Sequence, residues 1–146
     1  MKKTWLTDSK GDEEIASDSP LVSIVDDDVS VRRSTRRLLR CSGLRAEAFA
    51  SAEEFLASGW SKETSCLLLD VRMPGMDGLE LQRRLGEIQR LIPIIFLSAR
   101  ASEEEERRAL RAGAANFLRK PVSKETLLQA IRAVLESSAN YPWNEL

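Results

Sequence analysis

The chain has 146 residues, enough for one domain with a real core, and 42% hydrophobic against 31% charged residues is the balance of an ordinary globular protein. Its 22 Lys+Arg offset 23 Asp+Glu to a net charge of -1, which gives no electrostatic ground for direct nucleic-acid binding. There is no histidine, and Cys41 and Cys66 stand alone, so the common zinc ligand sets and every His-based triad or general base are excluded.

Met1 to Leu6 opens like an export leader, yet polar residues from Thr7 to Gly11 stand where an apolar region would be needed. No run is long enough to span a bilayer, and the expectation is a chain kept in a reducing cytoplasm. Residues 1–20 are polar and acidic with no apolar period; they read as a mobile tail in which Trp5 and Ile15 are candidates for local docking.

From Leu21 onward, short apolar runs alternate with longer segments of helical period, the signature of an α/β fold with a parallel sheet between helices. Strands are expected at Leu21 to Val25, Leu44 to Phe49, Cys66 to Leu69, Ile92 to Leu97 and Ala115 to Leu118. The third and fourth lack polar alternation and should be buried on both faces. Among the helices, Val31, Thr35, Leu38 and Leu39 form a core stripe on the first, and Leu127, Leu128, Ile131 and Leu135 on the last. Ser51 with Glu54, and Ser102 with Glu105, have the spacing of capping boxes, while Gly43 and Gly113 suit the left-handed residue that ends a helix. On the fourth helix Glu103 and Arg107, and Glu104 and Arg108, are i,i+4 pairs of a solvated face. The domain so bounded is 21–137, leaving 138–146, with Tyr141 and Trp143, as a docking tail or linker stub.

In an open parallel sheet the ligand crevice lies beyond the carboxyl ends of the strands. Here the strand ends lead into Asp26, Asp27 and Asp28; into Asp70; into Ser98; and into Arg119, Lys120 and Pro121. Taken singly, each has a bland reading as a turn former, a cap or a solvated loop residue. Three carboxylates converging at one edge, however, repel one another unless a cation sits among them, and oxygen ligands without Cys or His select Mg²⁺, with Mn²⁺ as its substitute. A site of that composition suits phosphoryl chemistry.

The runs Ile24-Val25-Asp26-Asp27-Asp28, Leu67 to Gly78 (LLLDVRMPGMDG), Phe96-Leu97-Ser98-Ala99 and Phe117-Leu118-Arg119-Lys120-Pro121 resemble, in order and spacing, the motifs of response-regulator receiver domains of two-component systems. The similarity covers roughly Leu21 to Glu136 and is nearest to the nitrogen-fixation FixJ-type subfamily. It implies a flavodoxin-like sheet of order 2-1-3-4-5 with five helices. It also implies Asp70 as phosphoacceptor, Asp26 and Asp27 as the metal-binding acidic pair, the backbone carbonyl of Arg72 as a further metal ligand, Ser98 as the switch hydroxyl, Phe117 as the switch aromatic and Lys120 as the lysine that contacts the phosphoryl group. Pro121 is the family's cis-peptide candidate, and Arg72 and Arg100 occupy positions that influence phosphoryl lifetime. Because the acidic run is a triplet, Asp26 and Asp27 are assigned by their place directly after the strand, and Asp28 is left as a helix-start residue.

The resemblance further implies a sensor histidine kinase or phosphotransfer protein as donor and a surface made by the fourth helix, fifth strand and fifth helix as output. Two copies would pair through that face after phosphorylation. It implies a phosphoacceptor that catalyses its own transfer and dephosphorylation, not an enzyme acting on other substrates. An output domain that reads DNA is common in the subfamily; this sequence is expected to end too early to hold one, so the output would be another protein or a C-terminal output domain missing from it. One rival is a haloacid-dehalogenase-type phosphatase, since Asp26-Asp27-Asp28 approximates its nucleophile motif; that class also needs an acidic pair after the lysine, and only Glu125, Glu136 and Glu145 follow Lys120. The other is a pseudo-receiver serving as an interaction module, against which the complete set Asp26, Asp27, Asp70, Ser98 and Lys120 weighs.

Overall fold

A computed structural model describes residues 19–139, so the tails expected at 1–20 and 138–146 lie almost wholly outside the described residues. Five strands, β1 (Leu21–Val25), β2 (Arg45–Phe49), β3 (Thr64–Leu69), β4 (Ile94–Ser98) and β5 (Asn116–Arg119), form one sheet in the order β2-β1-β3-β4-β5. Every neighbouring pair is parallel. The helices between and after them are α1 (Val29–Cys41), α2 (Ala52–Ser58), α3 (Gly78–Glu87), α4 (Glu103–Arg111) and α5 (Lys124–Ala139), with a 3₁₀ turn at Trp60–Lys62. This is the doubly wound order expected from the motifs.

Strand side chains alternate between two helical layers. Leu67, Leu69 and Phe96 pack with Phe55 of α2, Leu81 and Leu85 of α3 and Ala109 of α4. Their neighbours Cys66, Leu68 and Ile95 pack on the opposite side with Leu39 of α1 and with Leu127 and Ile131 of α5. Each such leucine, once buried, contributes about 1.5–3 kcal/mol of transfer free energy, which is what holds the strand ends in register.

Four strands differ from the sequence reading: β2 begins at Arg45 in place of Leu44, β4 ends at Ser98 in place of Leu97, β5 begins at Asn116 in place of Ala115, and three further bounds have a visible cause. β3 begins at Thr64 because the Thr64 hydroxyl, which donates to the Trp60 carbonyl (2.7 Å), also pairs with Ser23 Oγ of β1 (2.7 Å), so a polar residue is held in the sheet. β4 begins at Ile94, since Pro93 lacks an N–H and the Ile92 N–H is spent on the Arg90 carbonyl (2.9 Å). β5 extends to Arg119, which pairs with Ser98.

The helix ends follow their caps. Asp28 accepts from the N–H groups of Ser30 (2.8 Å) and Val31 (3.2 Å) and so starts α1. Ser102 and Glu105 form a complete capping box on α4. At α2 the box is altered: Ser51 accepts from the Glu54 N–H (3.0 Å), but the Glu54 carboxylate reaches one residue further back, to the Ala50 N–H (2.6 Å). The i,i+4 pairs expected on α4 are replaced by an i,i+3 pair, Glu104 with Arg107 (2.7 Å). Gly43 and Gly113 have φ of 87° and 107°, the left-handed conformation their helix ends require. Among the described residues no helix is long and apolar enough to cross a membrane.

Candidate phosphoryl and metal site

The sheet ladder continues one residue past the strands and thereby fixes the polar edge. Asp26 N–H donates to Phe49 O (3.2 Å), Asp70 N–H to Val25 O (3.1 Å) and Lys120 N–H to Ser98 O (3.1 Å). Each functional side chain is therefore set by a hydrogen bond to the neighbouring strand rather than by a free loop.

Lys120 joins the two central acids. Its Nζ donates to Asp26 Oδ2 at 2.7 Å and to Asp70 Oδ2 at 3.2 Å. Asp26 is 3% exposed and Asp70 8%, whereas Asp27 is exposed. One oxygen from each of Asp26, Asp27 and Asp70 lies within 4.8 Å of the others. Asp26 Oδ1 also accepts the Asp28 N–H (2.9 Å), so both of its oxygens are engaged at short range. Asp70 is held less tightly, with Oδ1 accepting from the Arg72 N–H at 3.3 Å. Burial pushes the Asp26 carboxyl above its ordinary value, outweighing the hydrogen bonds from Lys120 and Asp28 that pull it down. Burial alone would lower the Lys120 ammonium, but the hydrogen bond to Asp26 and the charge of Asp70 hold it above its ordinary value.

Ser98, at the end of β4, is fully buried, and its Oγ has no hydrogen-bond partner among the described residues. An unsatisfied buried hydroxyl costs about 1–3 kcal/mol, a debt that an additional oxygen in the pocket would settle. Phe117 is 8% exposed and stacks on Phe96, with ring centroids 5.6 Å apart. The Lys120–Pro121 peptide is cis. Arg72 turns away from the acids to pair with Glu105 of α4 (2.8 Å), and Arg100 is exposed with no partner among the described residues.

Several supporting residues escaped the sequence reading. Arg32 of α1 donates to the Asp26 carbonyl (2.9 Å), and Glu53 of α2 accepts the Met76 N–H (2.9 Å) of the loop that follows Asp70. The guanidinium of Arg119 lies 5.4 Å from the Phe117 ring centre and bonds the Ala101 carbonyl (2.6 Å) and Glu106 (2.7 Å), latching β5 to the start of α4. Gly78 opens α3 so close to the site that a Cβ there would lie 2.2 Å from the Asp70 carbonyl oxygen. Its signal in the sequence is the Asp77-Gly78 step, a helix cap followed by the smallest residue.

Three clustered carboxylates against one ammonium leave the pocket net negative, and every donor is a hard oxygen. The residues present fit a Mg²⁺-type ion, with Asp26, Asp27 and Asp70 as the groups that would hold it.

The family model for the response regulator receiver domain matches residues 22–132. Nodulation protein W of Bradyrhizobium diazoefficiens is 44% identical over 121 residues, covering 83% of this chain and 53% of that protein. Transcriptional regulatory protein FixJ of Azorhizobium caulinodans is 37% identical over 118 residues, 81% of this chain and 56% of that one. The solved structure of response regulator StyR shares 45% identity at a TM-score of 0.77, over 83% of this chain and 61% of that chain. The chain spans about half the length of the curated relatives it matches.

Proposed function

The chain belongs to the response-regulator receiver domain family of two-component systems, and from that premise we propose that it accepts a phosphoryl group on Asp70 from a phosphohistidine of a sensor kinase or phosphotransfer protein. The observation that carries this is the single ammonium of Lys120 bridging Asp26 and Asp70 at 2.7 and 3.2 Å, in a pocket that also gathers Asp27. Asp70 is the more loosely held acid, its two oxygens accepting at 3.2 and 3.3 Å where those of Asp26 accept at 2.7 and 2.9 Å. That difference favours Asp70 over Asp26 as nucleophile and disfavours the haloacid-dehalogenase-type reading.

An oxygen of Asp70 attacks phosphorus, the P–N bond of the donor breaks, and its electron pair returns to the imidazole nitrogen, which takes a proton from solvent. The product is an acyl phosphate and a free histidine on the partner. Lys120 stays protonated throughout and offsets charge on the transferring oxygens. A bound Mg²⁺, held by Asp26, Asp27, Asp70 and the Arg72 carbonyl, would supply further charge neutralisation and a template for the phosphoryl oxygens.

Ser98 then donates its unpartnered hydroxyl to a phosphoryl oxygen, and Phe117 turns into the space so released, remodelling the face of α4, β5 and α5. That face would engage an output partner or a second phosphorylated copy. Arg72 and Arg100 would set how readily water reaches the acyl phosphate, and replacing both without altering the dephosphorylation rate would refute their role.

Incubation with acetyl phosphate and Mg²⁺ followed by intact mass tests the assignment. One phosphoryl group per chain is expected, absent in Asp70→Asn and on chelation. Continuous multiple turnover of phosphate esters with no labelled protein would instead indicate a phosphatase.

A further inference from the structure

Residues 70–78 carry the chain from the tip of β3 into α3, and both ends of the stretch are pinned. The Asp70 N–H donates to Val25 O (3.1 Å), the Gly78 N–H donates to Val71 O (2.9 Å), and Asp77 caps α3 by accepting the Glu80 N–H (2.9 Å). The middle has less support. Pro74 has no N–H to give, and Gly75 sits at φ 74°, in the left-handed region where a residue without Cβ turns freely. Among the described residues, one hydrogen bond ties the backbone of 72–76 to another element, and it comes from α2: Glu53 Oε2 accepts the Met76 N–H at 2.9 Å.

The surroundings are shaped for that bond. The Ser51 cap and the buried Ala52 and Phe55 fix the first turn of α2, so Glu53 reaches out from a rigid base. Gly75 leaves room for the carboxylate, since a Cβ there would lie 2.8 Å from Glu53 Oε2. Met76 packs against the core cluster that contains Phe55, so its N–H is presented by an anchored residue. That N–H, together with Glu53's own, holds the Glu53 carboxyl below its ordinary value, and the acceptor is ionised at neutral pH. The bond is therefore charge-assisted, although Glu53 itself is exposed.

We propose that Glu53 is a positioning residue for the metal: by fixing the Gly75–Met76 peptide, it holds the stretch that carries Asp70 and the Arg72 carbonyl in the shape that an octahedral ion requires. The inference rests on the reading that Asp26, Asp27, Asp70 and the Arg72 carbonyl hold Mg²⁺. That ion takes oxygen ligands at about 2.0–2.1 Å and in near-ideal geometry, so a stretch free to swing about Gly75 loses affinity while every ligand is still present. Glu53 acts through the backbone alone, at a residue four places beyond Arg72.

Calorimetric titration of the metal-free full chain with Mg²⁺, alongside amide exchange, tests the clamp. Glu53→Ala should raise the Mg²⁺ dissociation constant about tenfold, the low end of what residues that orient metal ligands contribute, and should quicken exchange at Met76. Glu53→Gln keeps a side-chain oxygen for the Met76 N–H and should restore most of the loss. Glu54→Ala removes the same charge from the same helical turn, but Glu54 bonds the Ala50 N–H, so both readouts should stay at their wild-type values. Equal losses in Glu53→Ala and Glu54→Ala, or a Gln variant as weak as the Ala variant, would make the effect one of charge and overturn the clamp. Faster exchange at Met76 with an unchanged Mg²⁺ constant would overturn it too. Asp27→Asn separates the clamp from the metal assignment beneath it. A wild type that binds no Mg²⁺, or binds it as well after Asp27→Asn, sinks both, whereas binding that depends on Asp27 but not on Glu53 sinks the clamp alone.

Discussion

Asp26 is asked to hold a charge where the fold would rather have none. Its carboxyl is raised above the ordinary 3.8, so the folded state binds the proton more tightly than the unfolded chain does. Stability from this group is therefore greatest below about 3.8 and is lost as the pH rises through the folded value; at neutral pH the ionised acid works against folding. Asp26→Asn is expected to raise the melting temperature of the metal-free protein at pH 7 and to abolish the rise that Mg²⁺ gives the wild type. Thermal unfolding with and without Mg²⁺ checks both, and a lower metal-free melting temperature in the variant would contradict this account of the pocket. Gly78 is constrained by space instead of charge. Because the atoms facing it belong to the backbone of Asp70 and Val71, Gly78→Ala must displace the acid itself, at a cost of about 3 kcal/mol in urea unfolding together with loss of phosphorylation.

At the scale of elements, the start of α4 is tied to the site by two independent bonds. Glu105 closes the capping box by accepting the Ser102 N–H (2.9 Å) and also holds Arg72, two residues beyond Asp70. Arg119 reaches the same turn from β5 while covering the Phe117 ring. Movement of Phe117 therefore has to break or carry the Arg119 latch. Arg119→Ala should leave global stability within about 1 kcal/mol, since its ion pair and cation–π contact are partly exposed, yet accelerate amide exchange at the N-terminus of α4. Unchanged exchange there would show that the latch plays no part in holding that turn.

For the molecule as a whole, what could be read from the chain was whatever repeats locally. Leu67 to Leu69 ending in Asp70 gives both a buried strand and an acid at its tip, and the alternation of such runs with amphipathic segments gives the parallel sheet. Thr64 and Ser23 carry no hydrophobic pattern, so the start of β3, held by their mutual hydrogen bond, has no signal in the sequence. Arg32, Glu53 and Arg119 were hidden for a related reason: each acts by a side chain reaching the backbone of another element, and no spacing in the sequence marks such a contact. The two members of the altered box at Ser51 show the limit at short range, where the motif fixed the cap but not which N–H the carboxylate would take.

The central claim places covalent chemistry on one of two acids that share the same lysine. Borohydride reduces an acyl phosphate to the alcohol, converting a phosphorylated aspartate to homoserine, and peptide mapping then reports the position. After treatment with acetyl phosphate and Mg²⁺, homoserine is predicted at position 70 and nowhere else; homoserine at position 26, or none despite a phosphoryl adduct on the intact chain, would contradict the account.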